Sequence, residues 1–313
     1  MPTLTDLIAE ELARPMMPEA VAVAEAIRAR HGPSVAAVLF YGSVLRTRDL
    51  DGILDFYVLV DSLPAYHDHA LAAAANQALP PNVAYWEVPV AQGAAVRTMR
   101  AKVAIMTRAQ FRRAVSPASL DTTIWARFAQ PAGLVCYRDE SVRAWAAESV
   151  AAAVATAATW AVRLGPERGA ALEFWTALFR QTYAAELRAE RAERPSHIVD
   201  TDPARYDALF RPALAAAGIA FNEADGTIIP AVTAEDRARA IKGWAVRRRL
   251  GKALNVARLM KAAFTFQGGV DYLAWKVERH SGVKVELTPW QRRHPILASP
   301  LILWRLRKQG AVR

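Results

Sequence analysis

The chain has 313 residues, a hydrophobic content of 53% and a mean hydropathy of +0.06, values that exclude a disordered protein and predict a globular one with a substantial core. Its one cysteine, Cys136, excludes an intramolecular disulfide and favours a reducing, cytosolic location. The acidic N-terminal segment lacks the basic start of a signal peptide. The longest nearly charge-free stretch with a helical pattern, Ser149 to Val162, is too short to cross a membrane.

The net charge of +10 is unevenly distributed along the chain. From Gly243 to Arg313 there are 15 Lys and Arg against 3 Asp and Glu, whereas residues 1–242 hold 25 against 27. The same C-terminal part carries four of the tryptophans: Trp244, Trp275, Trp290 and Trp304. A basic, tryptophan-rich segment favours an anionic partner, either a membrane surface or a nucleic acid. The alternative is a solvated basic helix held by aromatic anchors.

The predicted elements follow one another in a mixed α/β order. Residues 4–31 are predicted to form one or two helices broken near Pro15 and Pro18. Buried strands are predicted in "SVAAVLFYGS", "ILDFYVLVD", "NVAYWEVPV", "RAKVAIMT" and "GLVCYRD", with a helix in "YHDHALAAAANQAL" after the second.

The remainder is predicted to be mainly helical. A helical pattern runs from Glu140 to Arg194, a small hairpin is expected at Asp225-Gly226, and residues 233–280 are helical again with an interruption near Gly268. A short amphipathic piece closes the chain. We therefore expect an α/β domain over residues 1–140, a helical domain over 141–268 and a basic, tryptophan-rich segment over 269–313.

Chemistry is indicated where the first strand ends in Tyr41-Gly42-Ser43 and the second opens with Asp55. A glycine lets the backbone approach a phosphate closely, and serine adds a hydroxyl donor. An acid on the neighbouring strand can hold Mg²⁺ against those phosphates. A strand, Gly-Ser, a loop of about a dozen residues and an acid on an apolar strand resemble the nucleotidyltransferase superfamily, which implies a mixed sheet with helices.

Members of that superfamily usually carry a second acid two residues after the first, where this chain has Tyr57. Tyr57 shares a strand face with Asp55 but is not a carboxylate. Asp61 lies about 20 Å along the same strand, too far to share an ion. Asp51, in the loop, could fold back, and Glu87, on the next predicted strand, is the better candidate for a second metal ligand. The alternative interpretation of Glu87 is a surface glutamate at a strand edge with no metal to bind.

The order of motifs resembles the mitochondrial-type phosphatidate cytidylyltransferases, which are peripheral CDP-diacylglycerol synthases. The matching residues are Tyr41-Gly42-Ser43 and Leu54-Asp55-Phe56, and in that family an apolar residue stands where a second acid would be. The resemblance therefore implies that Tyr57 marks a family trait rather than a loss of activity. The family's lysine-tyrosine-glycine-valine strand is replaced by "RAKV", so either Arg100 or Lys102 would supply its cation.

The resemblance covers roughly residues 38–268. In the helical part, Tyr183, Glu186 and Arg188 fit a family arrangement, although a surface salt-bridge ladder is an equal alternative. Near the end, Lys261 fits the family's basic helix, while Arg258 lies one position from the expected spacing. The sequence beyond Gly268 matches no part of the family pattern.

What the resemblance implies is the transfer of CMP from CTP to phosphatidate, giving CDP-diacylglycerol and pyrophosphate. Tyr41, Gly42, Ser43 and Arg258 would bind the nucleotide, and Asp55 would hold Mg²⁺, with Glu87 as a second ligand. The cations that would neutralise phosphate are Arg100, Lys102, Arg258 and Lys261. The expected location is cytoplasmic, on the inner face of the membrane, through the basic C-terminal segment.

Three other functions stay open from the sequence. The acceptor of the nucleotidyl group could be RNA or a protein, with the basic segment binding RNA. It could be another lipid, such as an isoprenoid phosphate. The protein could also bind a nucleotide without catalysis, with Tyr57 filling the metal site.

Overall fold

A computed structural model describes residues 2–93, 95–185, 198–265 and 287–293. Within them the chain forms a five-stranded mixed sheet and a large helical region, which confirms the predicted mixed α/β class. The predicted interruption near Gly268 and the amphipathic piece at the end of the chain lie outside the described residues.

All five predicted strands are present in one sheet. They are β1 (Val35–Tyr41), β2 (Leu54–Val60), β3 (Asn82–Gln92), β4 (Ala95–Thr107) and β5 (Ala132–Tyr137). The order across the sheet is β3-β4-β2-β1-β5, with β2 and β4 parallel and every other neighbouring pair antiparallel. The second and third strands in sequence are therefore not neighbours, because β4 lies between them.

The helices of the first half are α1 (Leu4–Leu12), α2 (Pro18–His31), α3 (Ser43–Thr47), α4 (Leu63–Tyr66), α5 (Ala70–Ala78), α6 (Arg108–Ala114) and α7 (Thr123–Phe128). The predicted break between α1 and α2 is confirmed. The helix predicted after β2 is present as α5, and a short α4 that was not predicted precedes it and ends where His67 adopts an extended backbone. The short α3 and α7 were not predicted.

The second half is mainly helical, as predicted. Its elements are α8 (Glu140–Leu164), α9 (Ala171–Ala185), α10 (Pro203–Ala216), β6 (Phe221–Ala224), β7 (Thr227–Pro230), α11 (Ala234–Thr265) and α12 (Pro289–Arg293). The hairpin of β6 and β7 confirms the predicted turn, in which Asp225 and Gly226 both have positive φ. Among the described residues, no helix is both long and apolar enough to cross a membrane.

Alternation along the strands gives the sheet two buried faces. On one, here called the α8 face, Tyr57, Leu59 and Met106 belong to the apolar core that also contains the buried side of α8. On the other, the α2 face, Phe56 and Val103 pack with the buried side of α2. With both faces covered, β1 and β2 are continuous apolar runs rather than alternating ones.

The core on the α8 face crosses residue 140, the predicted domain boundary. It runs from Leu4 in α1 through the sheet to Phe174 in α9 and Phe210 in α10. A buried ion pair joins the same parts, because Arg205 on α10 donates to both carboxylate oxygens of Glu11 on α1. The two predicted domains thus pack over a shared interior.

Candidate functional site

The Gly42-Ser43 turn lies directly against Asp55. Gly42 follows β1 with φ +97°, a backbone conformation that favours glycine, and Ser43 opens α3. A Cβ built on Gly42 would lie 2.7 Å from Oδ2 of Asp55. Antiparallel pairing of Tyr41 with Asp55 holds the two segments in this register. The predicted Gly-Ser turn and the predicted acid are therefore brought together.

Lys102 is the cation next to Asp55. The parallel register of β2 and β4 pairs Asp55 with Lys102, and strand neighbours lie about 4.8 Å apart. Lys102 is in turn paired with Tyr85 on β3. One row of paired residues thus crosses the α8 face beside the Gly42-Ser43 turn. It consists of Tyr41, Asp55, Lys102 and Tyr85. The sequence left Arg100 and Lys102 as alternatives, and the register places Lys102 beside the acid.

Arg100 is two residues earlier on the same face and belongs with Glu87. Its Nε lies 3.6 Å from Oε1 of Glu87, the residue with which it is paired across β3 and β4. Oε1 of Glu87 also accepts a hydrogen bond of 2.8 Å from the Tyr85 hydroxyl. Burial, followed by this hydrogen bond and the charge of Glu87, raises the pKa of Tyr85.

Glu87, the predicted second metal ligand, is on the same face of the sheet as Asp55 but not beside it. It lies two strands away and two residues along, which places the two Cα atoms about 12 Å apart. The described residues contain no group of three or more His, Cys, Asp or Glu side chains arranged to hold a metal ion. A divalent ion held by a single carboxylate takes its other ligands from phosphate oxygens and water, as Mg²⁺ commonly does with nucleotides.

Tyr57 stands at the position where a two-acid site has its second carboxylate, and here it is a buried residue of the core. It is 1% exposed, and its ring packs against Tyr41 and Phe128 with centroid distances of 5.4 and 5.1 Å. Its hydroxyl accepts a hydrogen bond of 3.2 Å from Arg127 of α7. Burial raises the pKa of this hydroxyl, and the charge of Arg127 opposes that effect. Tyr57 therefore stays neutral and holds a guanidinium group.

Arg127 was missed by the sequence analysis. It stands in "TIWARF", where the residues on either side of it, Ala126 and Phe128, are buried. Nothing in that local pattern distinguishes Arg127 from a surface arginine. Its partner is 70 residues away in sequence, so the contact is visible only in the fold.

Arg258 and Lys261 lie at the other end of the sheet. The Lys261 Nζ donates to the carbonyl oxygens of Leu79 and Pro81 at 2.5 and 2.6 Å, just before β3. Arg258 donates to Pro80 O at 2.9 Å and to Asp121 Oδ2 at 2.6 Å. Asn82, at the start of β3, pairs with Ile105, three residues beyond Lys102 on β4. Both cations therefore attach α11 to the sheet at a distance from Asp55.

Burial and neighbouring charges shift the pKa values of Lys261 and of Asp121, the carboxylate partner of Arg258. Burial, and then the charge of Arg258, lowers the pKa of Lys261 to about 8. Burial acts to raise the pKa of Asp121, but the charge and hydrogen bond of Arg258 outweigh it and lower that pKa. Arg258 and Asp121 also line a cavity of about 390 Å³ together with Met106 and Ile124. This cavity is on the α8 face, beyond Tyr57 as seen from Asp55.

The other predicted residues fall in three places. Tyr183 is partly buried on α9 and packs against the core, while Glu186 and Arg188 lie outside the described residues. Asp51 is exposed in the loop and pairs with Arg97 at 2.5 Å rather than folding back to Asp55. Trp244, counted with the basic segment, is 5% exposed and packs on Trp160, so it is a core anchor.

Comparison of this chain with protein-family models and with curated proteins found no match. The functional assignment therefore depends on the residues themselves. What they provide is one carboxylate, a glycine turn against it, a neighbouring lysine and a buried tyrosine that holds an arginine. Such a set can position and neutralise phosphate groups.

Proposed function

We propose that this protein is a nucleotidyltransferase that transfers CMP from CTP to phosphatidate. The observation that carries the proposal is the contact of Gly42 with Asp55, because only a residue without Cβ fits there. A backbone turn packed this closely beside a carboxylate presents N–H groups to phosphate oxygens next to an acid that can hold a cation. The resemblance in the order of motifs supports CTP and phosphatidate as the substrates.

The reaction needs positioning more than proton transfer. A phosphate oxygen of phosphatidate forms a bond to the α-phosphorus of CTP, the bond from that phosphorus to its bridging oxygen breaks, and pyrophosphate leaves with the electron pair. Because the nucleophile is already an anion, no strong general base is required. This agrees with a site that contains one acid and several cations.

Each residue of the site then has a stated task. The turn at Gly42 and Ser43 holds the triphosphate, and Asp55 holds the Mg²⁺, which when bound neutralises charge on the phosphates. Lys102, next to Asp55, stabilises the charge that develops during transfer. Arg100, on the same face, is placed to attract the acceptor phosphate.

The absence of a second acid is consistent with activity. Tyr57, two residues along the strand from Asp55 and on the same face, holds the guanidinium of Arg127 through its hydroxyl. A fixed cation there supplies part of the positive charge that a second metal ion supplies in a two-acid site. We therefore assign Arg127 as a positioning residue whose orientation depends on Tyr57.

Phosphatidate is a bilayer lipid, so the protein must reach a membrane surface. The basic C-terminal segment, with Arg305, Arg307 and Lys308 beside Leu303 and Trp304, has the composition of an interfacial anchor. These residues lie outside the described ones. Their contribution is part of the proposal, as is a peripheral location on the cytoplasmic side.

The proposal is tested by offering several acceptors in parallel. Purified protein is incubated with Mg²⁺ and CTP labelled at the α-phosphate, together with phosphatidate vesicles, undecaprenyl phosphate vesicles or single-stranded RNA. The proposal predicts label in lipid only with phosphatidate, and unlabelled CTP competing better than ATP, GTP or UTP. Label in RNA or in the isoprenoid would replace phosphatidate as acceptor, and no label anywhere would leave a non-catalytic nucleotide-binding role.

A further inference from the structure

Helix α11 has two faces of different character. Its inner face is attached to the rest of the protein by Trp244, Arg247, Arg258 and Lys261. Arg247, for example, donates to Ser119 O at 3.1 Å and to Pro117 O at 3.2 Å, and it lies over the ring of Trp160. The basic residues on this face are therefore occupied by carbonyl oxygens of the protein itself.

The opposite face, here called the outer face of α11, exposes apolar side chains. Val246, Leu250, Val256 and Met260 are 49%, 38%, 47% and 67% exposed. Within the described residues ten large apolar side chains are exposed, and five of them, these four and Ile241, are on this one helix. Spacings of four, six and four residues place the four on one side of a helix. Such a concentration indicates a contact surface.

Unpaired cations accompany these apolar residues. Lys242, Arg248, Arg249 and Lys252 are all exposed, and across the described parts of the chain none of them has a carboxylate partner. No Asp or Glu occurs in α11 after Asp236. Lys242 and Arg249 fall among the apolar residues, while Arg248 and Lys252 border them. The outer face thus combines exposed aliphatic side chains with charged groups that are all positive.

We propose that the outer face of α11 docks on an anionic lipid bilayer, lying in its interface. Aliphatic side chains enter the acyl boundary while lysine and arginine extend to the headgroups. Charge complementarity selects this occupant. A second copy of the face would oppose like charges. Of the chain's own C-terminal residues, 287–313 hold six Lys and Arg and no Asp or Glu and would be repelled, and 266–286, with three residues of each sign, offer no net negative charge. A nucleic acid would use the cations but not the aliphatic side chains.

This inference rests on the proposed function only for its biological setting, since phosphatidate would lie in the bilayer that α11 contacts. It assigns docking to a described, folded helix rather than to the C-terminal segment alone. Inner and outer residues of α11 then have separate tasks: the inner face fixes the helix to the sheet, and the outer face orients the sheet against the membrane.

Docking is measured on the full-length chain without nucleotide. Vesicles of phosphatidylcholine with phosphatidylglycerol are sedimented with wild type and with the triple variant Lys242→Gln, Arg249→Gln, Lys252→Gln. Each cation near an anionic surface strengthens binding about fivefold, so the triple variant should partition about 100-fold more weakly. The matched control is Arg14→Gln, Arg168→Gln, Arg180→Gln, which removes three exposed arginines from elsewhere and should bind as wild type does.

A second variant tests the apolar part. Val246→Ser, Val256→Ser, Met260→Ser should weaken vesicle binding with all charges retained, and its circular dichroism should match wild type because these side chains are exposed. Wild-type binding by both α11 variants, or equal loss in the control triple, would overturn the proposal. Loss of binding to RNA but not to vesicles would assign the face to nucleic acid instead.

Phosphatidylglycerol is not the proposed acceptor, so vesicle binding is independent of catalysis. If docking fails, transfer to a dispersed short-chain phosphatidate can still succeed, and the proposed function stands. If transfer fails with every acceptor, docking on phosphatidylglycerol vesicles still decides the role of the outer face.

Discussion

Gly42 and Asp55 are in contact at the place where a side chain on residue 42 would overlap the carboxylate, with a separation of 2.7 Å between the built Cβ and Oδ2. The contact joins the end of one strand to the start of its antiparallel neighbour. It fixes the position of the carboxylate relative to the turn that follows. The proposed chemistry depends on that position.

Replacing Gly42 with alanine should therefore displace Asp55. We expect transfer activity to fall about 100-fold, the effect of a shift of about 1 Å in a catalytic group. Gly32→Ala is the matched control, because Gly32 has φ +55° and ψ −137°, also outside the left-handed helical region, but a Cβ there meets nothing within 4 Å. Both variants carry similar backbone strain, so equal losses of activity would contradict a specific role for the contact.

Tyr57→Phe and Tyr57→Asp separate the ring from the hydroxyl. Tyr57→Phe keeps the aromatic packing and should lower the free energy of unfolding by about 1 to 3 kcal/mol, the range for a hydrogen bond from a charged donor. Activity should fall with it, because Arg127 loses its anchor. Urea denaturation and the transfer assay measure the two effects.

Tyr57→Asp introduces the second acid that nucleotidyltransferases usually carry, and it should not increase activity. It removes a buried ring, which costs about 3 to 5 kcal/mol. A stable and more active Tyr57→Asp variant would show that the tyrosine is a lesion rather than a working part of the site.

The buried pair of Glu11 and Arg205 should be a major determinant of stability. Arg205→Met leaves the Glu11 carboxylate buried without its guanidinium partner, and we expect a loss of about 3 to 5 kcal/mol. Adding Glu11→Leu should recover part of that loss. On the same helix, Arg211→Met breaks the more exposed pair with Glu223 and should cost less than about 1 kcal/mol. Comparable losses for Arg205→Met and Arg211→Met would contradict this ranking.

Lys261 should make the free energy of unfolding depend on pH in a direction that follows from its lowered pKa. Its pKa in the folded protein is about 8, below the ordinary value of 10.5, because the ammonium group is buried. Between these two pH values Lys261 is protonated more often in the unfolded chain than in the folded protein. Its contribution to the free energy of unfolding therefore increases as the pH rises. The difference in unfolding free energy between wild type and Lys261→Met should shift in favour of wild type from pH 8 to pH 10.5. A difference that stays constant over this range would contradict the lowered pKa.

The strands and the first part of the site could be predicted from local sequence. Continuous apolar runs identify β1 and β2, since both sheet faces are covered, and the Gly-Ser turn before Asp55 follows from the ends of those runs. The hairpin at Asp225-Gly226 is likewise a local signal, since both residues adopt positive φ.

What could not be predicted depends on strand order and on long-range contacts. Glu87 is on the next strand in sequence, but β3 pairs with β4, and β4 pairs in parallel with β2, so the acid lies two strands from Asp55. The choice between Arg100 and Lys102 needed the register. The most distant partners of Arg127, Arg258 and Lys261 are 70, 178 and 182 residues away in sequence, and no periodicity encodes them.

The proposed single-acid site is tested most directly by Asp55→Asn. Wild type, Asp55→Asn and the loop control Asp51→Asn are incubated with Mg²⁺, α-labelled CTP and phosphatidate vesicles, and label is counted in the extracted lipid. The account predicts that Asp55→Asn removes lipid label while folding normally, and that Asp51→Asn, whose carboxylate is exposed and paired with Arg97, keeps it. Lipid label that persists in Asp55→Asn would contradict the assignment of this carboxylate as the one on which transfer depends.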